Sequence, residues 1–340
     1  MTLIVNNVET ENVIVKKIST GQTISLDVLQ DNLGNIIWQK YVEIKDLIYN
    51  VTFTSVNYKS PTLKFTKQDT QPTTINWGDG SAVETITTSG TQAVNHTYET
   101  LGDYTITISG EGKINIDAGA LGSTTVNSDS SSADYGKGYP TSIVGVVFGE
   151  IVDRIEAEAF WNAQIEEVSI HPNVTYIGRL NDQRMFTGCE ETTEYIFING
   201  EPSQQIVSKL YYLLAEDGTT KYCLNAEAYG GTEEYETRIP EGTTLLAEES
   251  LMIGRNIVVP ASVKYFCKLC LGTTTGFLRF EQPEGMEVFL PIPGDGSGMA
   301  YSKEAVERTI YTDNATIKNY NWAGDNITAT ILHLDGTAWE

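Results

Sequence analysis

The chain has 340 residues, of which 40% are hydrophobic, so it is long enough for two or three domains with real cores. Its 22 Lys and Arg residues face 45 Asp and Glu residues, which gives a formal net charge of −23. This charge argues against a nucleic-acid partner and against docking on an anionic membrane. No stretch approaches the ~18 apolar residues of a membrane-spanning helix, so we also expect no membrane insertion.

The first 48 residues show the alternating apolar pattern of short β-strands. The pattern runs through "LIVNNVETENVIVKKI", "TISLDVLQ" and "NIIWQKYVEI", with the turn sequence "DNLGN" between the last two. A unit of this size is too small to bury a core alone, so we expect residues 1–48 to pack on a neighbouring domain or on another chain.

The sequence after Met1 has no basic n-region, no long apolar h-region and no small-residue cleavage site of a secretory signal. We therefore expect the chain to be made and kept in a cytoplasm, or assembled there into something larger.

Residues 49–112 predict a separate β-domain. Its six candidate strands are short, evenly spaced and bounded by Gly, Asn and Pro, a spacing typical of a β-sandwich. They are "NVTFTSV", "PTLKFT", "TTINW", "AVETITT", "AVNHTY" and "DYTITISG". The composition then shifts, and the Ser/Gly/Asp-rich residues 113–142 predict a linker or long loop.

Residues 143–340 contain a weak internal repeat. Pro240 to Pro260 is 20 residues, Pro260 to Pro283 is 23, and Ile155 to Ile177 is 22. A period of this length, with Pro at the end of a short strand, predicts a solenoid in which each turn adds one strand.

Two stretches interrupt the repeat and predict short helices. Residues 201–218, "EPSQQIVSKLYYLLAEDG", have apolar residues at helical spacing. Residues 291–311, "PIPGDGSGMAYSKEAVERTIY", predict a Gly/Pro loop followed by another short helix. The fold expected overall is mainly β, with helices confined to these insertions.

Cysteine, histidine and acidic residues give no pattern of a metal or catalytic site. The "CKLC" motif, with two distant single cysteines, allows a zinc site, but the second close pair of a zinc ribbon is missing. A glycosidase needs two carboxyl groups about 5–10 Å apart across a cleft. Adjacent residues of a strand point to opposite faces, so the four Glu–Glu pairs do not supply this arrangement. The three histidines are scattered. We therefore expect no cofactor, no metal and no enzyme activity, although a glycan hydrolase remains an alternative. The residues concerned are Cys189, Cys223, Cys267, Cys270, His96, His171, His333 and the pairs 166–167, 190–191, 233–234 and 248–249.

The stretch 75–110 raises the question whether an Asp and a His form an active site or only the frame of a sandwich. Gly78 and Gly80 allow turn backbone angles, Asp79 can accept hydrogen bonds from nearby amides, and His96 and Tyr98 share one strand face. No nucleophile or cleft accompanies the pair, which favours a structural role, and calcium at Asp79 is a weaker alternative. The segment resembles a PKD-type domain, an immunoglobulin-like sandwich, over about 60 residues. Its matching residues are Trp77, Gly78, Asp79, Gly80, His96, Thr97, Tyr98, Gly102, Asp103 and Tyr104.

The C-terminal half resembles BspA-like leucine-rich repeats, with "VDRIEAEAFWNAQIEEVSIHPNVTYIG" as the best match. "RMFTGCEETTEYIFI", "TTLLAEESLMIGRNIVVPASVKYF" and "CKLCLGTTTGFLRF" are weaker copies, in which Cys189 and Cys270 fall at small buried positions of the repeat. The resemblance implies a stacked solenoid that serves in binding, and no catalytic residues come with it.

The N-terminal "NVIVKKISTG" and "LGNIIWQKYV" are similar to short β-units of bacteriophage tail and virion proteins, and residues 310–340 resemble the closing segment of phage and gut-bacterial repeat proteins. We therefore expect a virion structural protein, tail-associated as in a fibre or baseplate, that docks through residues 1–48. A head fibre or capsid-decorating protein and a bacterial surface adhesin are the alternatives. The expected location is the particle surface, and symmetry makes a homo-oligomer the expected state.

A binding surface on the repeats is expected at exposed aromatic residues, because aromatic faces stack on sugars or fill protein pockets. Its ligand would be a host-surface glycan or protein, or a neighbouring subunit. The loop "AYGGTEEYE" (228–236) is the first segment to mutate, and core packing is the alternative role for each ring. The candidates are Trp161, Tyr211, Tyr212, Tyr229, Tyr235, Tyr320 and Trp322.

Overall fold

The structure is a computed structural model of the whole chain, and half of the chain is β-strand. It describes residues 3–5, 8–10, 14–17, 26–30, 36–39, 45–53, 59–121, 143–160, 165, 167–179, 190–198, 201–228, 236–251, 256–271, 276–293, 298–300 and 305–339.

The chain divides into two compact units, Met1–Glu43 and Ile44–Glu340. The first unit consists of an antiparallel pair, β1–β2, and an antiparallel three-stranded sheet in the order β3-β4-β5. This confirms the prediction of short strands near the N-terminus. The strands are β1 (Leu3–Val5), β2 (Val8–Thr10), β3 (Ile14–Lys17), β4 (Leu26–Gln30) and β5 (Ile36–Gln39).

The second unit opens with the strands of a sandwich, and all six strands predicted in residues 49–112 are present. Apolar and polar residues alternate along them, so one face of each strand is buried. In β6, for example, alternate residues from Leu47 to Phe53 are buried. The strands are β6 (Leu47–Phe53), β7 (Thr62–Lys67), β8 (Thr73–Asn76), β9 (Glu84–Ile86), β10 (Gly90–Asn95) and β11 (Gly102–Gly110).

Ile114–Leu121, which lies within the predicted linker, forms a strand, β12. Its apolar residues Ile114 and Ile116 are fully buried and pair with β7, which explains why the segment is ordered as sheet. Residues 122–142, which hold the Ser/Gly-rich centre of the predicted linker, lie outside the described residues.

Strands from both sides of this segment share the same two sheets. One sheet has the order β15-β13-β6-β11-β8-β9, and the other has the order β10-β7-β12-β14-β16. Their inner faces form one core in which Tyr49, Trp77 and Phe65 lie with Phe148 and Ile155. The sandwich therefore continues without a break in its core into the first turns of the repeat. The added strands are β13 (Ile143–Phe148), β14 (Val152–Ile155), β15 (Glu167–Ile170) and β16 (Tyr176–Ile177).

The C-terminal part is a β-solenoid, as the repeat period predicts, and the whole solenoid has about six turns. A ten-stranded sheet has the order β23-β21-β19-β18-β17-β20-β22-β24-β25-β26. Its solenoid strands pair in parallel, while β17, β18 and β19 form an antiparallel insertion. The strands are β17 (Glu190–Ile198), β18 (Glu201–Leu214), β19 (Lys221–Ala228), β20 (Glu236–Arg238), β21 (Thr243–Leu246), β22 (Asn256–Val259), β23 (Tyr265–Phe266), β24 (Gly276–Phe280), β25 (Val306–Thr312) and β26 (Ile327–Leu332).

The repeat period is visible as residues stacked in register. Ile155 lies beside Ile177, 22 residues later, and Leu246 lies beside Phe266, 20 residues later. The corner that follows these strands has a left-handed residue at the same place in three turns: Glu158, Glu249 and Leu269 have φ of 61°, 58° and 53°. The left-handed region is unfavourable for residues with a Cβ, so the solenoid fold imposes this conformation.

Both predictions of helical insertions were wrong over the described residues. Residues 201–214 form the long strand β18, which pairs with β17 on one side and with β19 on the other. The second predicted helix is replaced by β25 at 306–312. The described helices are short and lie after β25: α1 (Ala315–Lys318) and a 3₁₀ turn (Trp322–Asp325). None of the described helices has the length and apolar character needed to cross a membrane.

Candidate functional site

The Asp and His of the stretch 75–110 meet in the structure, beside two aromatic residues. The Oδ2 atom of Asp79 lies 2.7 Å from Nε2 of His96. The His96 ring stacks on Trp77 with a centroid distance of 4.6 Å and an interplanar angle of 9°. Tyr98 meets the edge of His96 and donates a hydrogen bond of 2.9 Å to the carbonyl of Trp77. The predicted shared face of His96 and Tyr98 is confirmed.

The turn that carries Asp79 requires glycine on both sides. Gly78 and Gly80 have φ of 77° and 83°, values that residues with a Cβ rarely adopt. A Cβ on Gly78 would also lie 2.4 Å from the carbonyl oxygen of Thr105 in β11, whereas a Cβ on Gly80 would meet nothing. The Asp79 carboxylate closes the turn by accepting a hydrogen bond of 3.0 Å from the amide of Ser81. The sequence thus folds here as an Asx turn held against a strand.

The electrostatics of this cluster favour an ionised carboxylate. Partial burial raises the pKa of Asp79, but hydrogen bonds from Ser81 and the contact with His96 outweigh burial and lower the pKa to about 2. Burial raises the pKa of the Tyr98 hydroxyl well above its ordinary value. Asp79 is therefore an acceptor that stabilises the turn and positions His96, and an acid that gives up its proton this readily is a poor proton donor at neutral pH.

Aromatic packing joins the cluster to the core of the sandwich. Trp77 and Tyr98 are buried, and the Trp77 indole donates a hydrogen bond of 2.7 Å to Glu84. Tyr104 is half-buried, its ring centroid lies 4.2 Å from that of Tyr98 with an interplanar angle of 35°, and its hydroxyl is hydrogen-bonded to Thr100. These contacts join the motif residues to the core of the sandwich.

The other two histidines lie in separate polar contacts. His171 Nδ1 lies 2.5 Å from the side-chain oxygen of Asn173. His333 contacts Asp313 at 2.8 Å and stacks on Trp339 at 4.0 Å. The three rings therefore belong to three different places in the fold and do not share a site.

Three of the four cysteines are buried thiols. Cys223, Cys267 and Cys270 are buried, and Cys270 occupies the small buried position expected from the repeat. Burial raises the pKa of Cys267 to about 12 and raises that of Cys270 well above its usual range. Thiols held protonated are poor metal ligands, and the described part of the chain holds no cluster of three or more metal-binding side chains. Cys189 lies outside the described residues.

The acidic pair at 248–249 has a structural arrangement that the sequence did not reveal. Glu248 is buried, and its Oε2 accepts hydrogen bonds from the Tyr176 hydroxyl at 2.9 Å and the Arg179 amide at 3.2 Å. Its Oε1 pairs with Lys268 at 3.0 Å. The neighbouring Glu249 forms an ion pair of 3.4 Å with the Arg179 guanidinium. The Glu248 carboxylate thus ties β16 to two later turns, a role that only spatial neighbours disclose.

The predicted binding aromatics divide into buried and half-buried rings. Trp322 and Tyr212 are 3% and 8% exposed, so both rings pack inside the protein rather than on an exposed face. Tyr211 is half-buried. Tyr320 is also half-buried, meets Trp322 edge to face at 5.0 Å and donates a hydrogen bond of 2.8 Å to Asp325. Of the described candidates, Tyr320 and Trp322 are in ring contact. Trp161, Tyr229 and Tyr235, with the loop around the last two, lie outside the described residues.

The strongly exposed apolar side chains lie elsewhere. Phe289 is 45% exposed and Ile292 is 81% exposed, on one short segment at the end of a solenoid face. The sequence analysis missed this segment, although "VFLPIP" is an apolar run next to turn residues and could have indicated it. Further exposed apolar residues of the described chain are Val83, Leu101 and Val144.

Comparisons with known protein families, with curated proteins and with solved structures found no match to this chain.

Proposed function

We propose that the chain is a non-enzymatic bacteriophage virion structural protein, tail-associated as in a fibre or baseplate. Its N-terminal unit docks onto the particle, and its solenoid presents a surface to the host or to neighbouring subunits. The observation that carries the proposal is the division of the chain into a small strand unit, residues 1–43, and a large unit ending in a solenoid of about six turns. Solenoids offer extended surfaces suited to binding.

The phage assignment is supported by the N-terminal similarity to short β-units of tail and virion proteins, within which β3, β4 and β5 form one small sheet. Such a sheet has two edge strands, and edge strands are the usual place for pairing with another chain. Docking of this unit on other virion proteins, and homo-oligomerisation, follow from this reasoning.

The sandwich is proposed to be PKD-type, a spacer between the docking unit and the repeats. The glycine turn, the Asp79–His96 contact and the buried Trp77 and Tyr98 support the resemblance, because each motif residue holds the frame together. The solenoid is proposed to be of the BspA-like leucine-rich type. The left-handed corner at Glu158, Glu249 and Leu269 supports it, since the corner recurs at one repeat position.

The alternatives are a head fibre or capsid-decorating protein and a bacterial surface adhesin that binds glycan or protein. The tail-associated proposal places the chain on the particle surface, and the net charge of −23 favours protein or glycan partners over nucleic acid. The adhesin would use the same solenoid surface on a cell instead of on a particle.

Incorporation of a truncated chain into particles tests the proposal. The truncation removes residues 1–43 and keeps β6 intact, because Leu47 in β6 is fully buried in the core of the second unit. A matched control carries Ile292→Ala, which changes an exposed side chain of the solenoid and leaves residues 1–43 intact. The proposal predicts that the full chain and the control co-purify with particles while the truncated chain stays in the soluble fraction. A truncated chain that still incorporates refutes docking through the N-terminal unit, and a full chain found on the bacterial surface instead of on particles establishes the adhesin.

A further inference from the structure

The exposed ring of Phe289 ends a row of stacked residues on one face of the solenoid. Tyr222, Leu245, Tyr265 and Phe289 lie side by side in register, one from each successive turn. Tyr222 and Leu245 are fully buried, Tyr265 is half-buried, and Phe289 is 45% exposed. The row thus passes from the core to the surface, and Phe289 is its outer member.

Backbone hydrogen bonds join Phe289 to the preceding turn. The Phe289 amide donates a hydrogen bond of 2.9 Å to the backbone carbonyl of Lys264, and the Phe289 carbonyl accepts one of 3.0 Å from the backbone amide of Phe266. The Phe289 ring stacks on Tyr265 with a centroid distance of 5.1 Å and an interplanar angle of 17°. Although the Phe289 ring stacks on Tyr265, Phe289 remains 45% exposed. We call the stacked rings of Phe289 and Tyr265 the aromatic platform.

Two charged groups lie close to the stacked rings: the Lys264 ammonium lies over them, and the Glu287 carboxylate lies beside Lys264. The Lys264 ammonium lies 5.2 Å from the Phe289 ring centroid and 5.5 Å from that of Tyr265. The Glu287 carboxylate lies 3.9 Å from the Lys264 ammonium, which is an ion-pair distance but too long for a hydrogen bond. Glu287 is largely exposed, so donor and acceptor both keep hydrogen-bonding capacity for a ligand beside the ring.

We propose that Phe289, Tyr265, Lys264 and Glu287 form a binding platform for an uncharged sugar ring. A pyranose has a flat face of C–H groups, which suits the negative face of an aromatic ring, and hydroxyls at its edge, which suit a neighbouring ammonium and carboxylate. The platform would be the site at which the solenoid carries out its proposed binding role, with sugars as the ligand class, and the inference rests on that proposed role.

Other ligand classes fit the platform less well. A phosphorylated or acidic ligand would be repelled by a chain with a net charge of −23. A cationic ligand would meet the Lys264 ammonium already placed over the ring.

Fluorine NMR of the full chain tests the inference directly. The ten phenylalanines are replaced by 4-fluorophenylalanine, and the Phe289 signal is assigned by its loss in Phe289→Leu. The probes are the methyl glycosides of glucose, galactose, mannose, N-acetylglucosamine and N-acetylgalactosamine, with glucuronic acid as the charged comparison. A platform of one exposed ring predicts dissociation constants of about 1 mM or weaker.

The expected result is a saturable shift of the Phe289 signal with at least one neutral glycoside and a smaller shift with glucuronic acid. Saturation-transfer NMR, which detects binding from the sugar signals, then compares unlabelled variants. Phe289→Ala and Phe289→Leu should weaken binding about tenfold, Lys264→Met should weaken it less, and Phe289→Trp should preserve or strengthen it. The matched control is Ile292→Ala, an exposed apolar residue three positions away, which should leave binding unchanged.

Several results would overturn the inference. One is a Phe289 signal that no glycoside shifts at concentrations up to about 100 mM. Another is sugar binding by Phe289→Ala that is as strong as that of the parent. The last is a Phe289 signal that shifts with protein concentration and not with sugar. The last result would show that a second copy of the chain covers the ring. These outcomes are separate from the particle assay, because a chain that incorporates into particles but shows no sugar shift retains the proposed function and loses only this platform.

Discussion

Two glycines in the turn 77–80 provide a matched pair of substitutions that separates backbone strain from steric collision. Gly78 and Gly80 both have φ near 80°. The Cβ added by Gly78→Ala would lie 2.4 Å from the carbonyl oxygen of Thr105, while the Cβ added by Gly80→Ala would have no neighbour within 4 Å. The two variants therefore share the conformational cost and differ in the collision.

The expected magnitudes follow from that geometry. A left-handed conformation costs a residue with a Cβ about 1–2 kcal/mol, and the smaller entropy of the unfolded alanine chain offsets about 0.4–1 kcal/mol. We expect Gly80→Ala to lower the free energy of unfolding by about 1 kcal/mol. Gly78→Ala must also push the β11 backbone at Thr105 away from the turn, which adds about 1–3 kcal/mol, as overpacking of a core does.

Urea unfolding of both variants, followed by tryptophan fluorescence, measures the difference, and amide hydrogen exchange of β11 locates it. The account predicts faster exchange around Thr105 in Gly78→Ala and unchanged exchange in Gly80→Ala. Equal destabilisation of the two variants, or a larger loss in Gly80→Ala, would refute the packing of this turn against β11.

Three further predictions concern the same frame and the solenoid. Because the pKa of Asp79 is lowered from 3.8 to about 2, its ionised form stabilises the folded state above about pH 4, and this stabilisation is lost as the pH falls through about 2. Thermal unfolding of Asp79→Asn should therefore depend less on pH between about 4 and 2 than that of the parent, and identical pH profiles would count against the Asp79 contacts. Glu158→Gly should raise the free energy of unfolding by about 0.5–1 kcal/mol, because glycine adopts the left-handed corner without strain. Ala157→Gly beside it should lower the free energy of unfolding by a similar amount. Calorimetry that finds the opposite order would contradict the corner geometry. Glu248→Ala should cost about 2–4 kcal/mol in urea unfolding, since it leaves the Tyr176 hydroxyl and the Arg179 amide without their acceptor and Lys268 without its partner. Glu248→Gln keeps an acceptor and should cost less, and equal losses would argue against that hydrogen-bonding role.

The sandwich strands could be predicted because their signals are local. Apolar and polar residues alternate in each strand, and glycine turns separate them, so no distant partner is needed to recognise the pattern. The stretch "TTINW" becomes β8, and "DYTITISG" becomes β11, with Ile75 and Ile106 fully buried. The solenoid was predictable for a related reason, since its proline spacing matches the distance between stacked turns.

The long strand β18 was not predictable from spacing alone. Apolar residues at 206, 207, 210, 211, 213 and 214 satisfy a helical period, and the segment carries Ile, Val and Tyr, which favour sheet. Pairing with β17 and β19 on its two sides decides the outcome, and that pairing is a tertiary contact. Local propensity is weak enough that such contacts override it.

The candidate site was predictable in part. The motif singled out Asp79 and His96, but their contact of 2.7 Å depends on how the strands pair in the fold. The platform at Phe289 could not be predicted, since a single bridging residue has no strand pattern of its own, and its stacking on Tyr265 depends on a residue 24 positions earlier. Exposure of a ring is a property of the fold that hydropathy does not report.

Cryo-electron microscopy of particles purified from a host that produces this chain tests the central claim most directly. The account predicts density for residues 1–43 against a tail protein, with the solenoid and its Phe289 face directed outward. Density on the capsid would replace the tail assignment by the head-fibre alternative. Particles without this chain, with the protein free or on the bacterial surface, would contradict the claim that it is a virion protein.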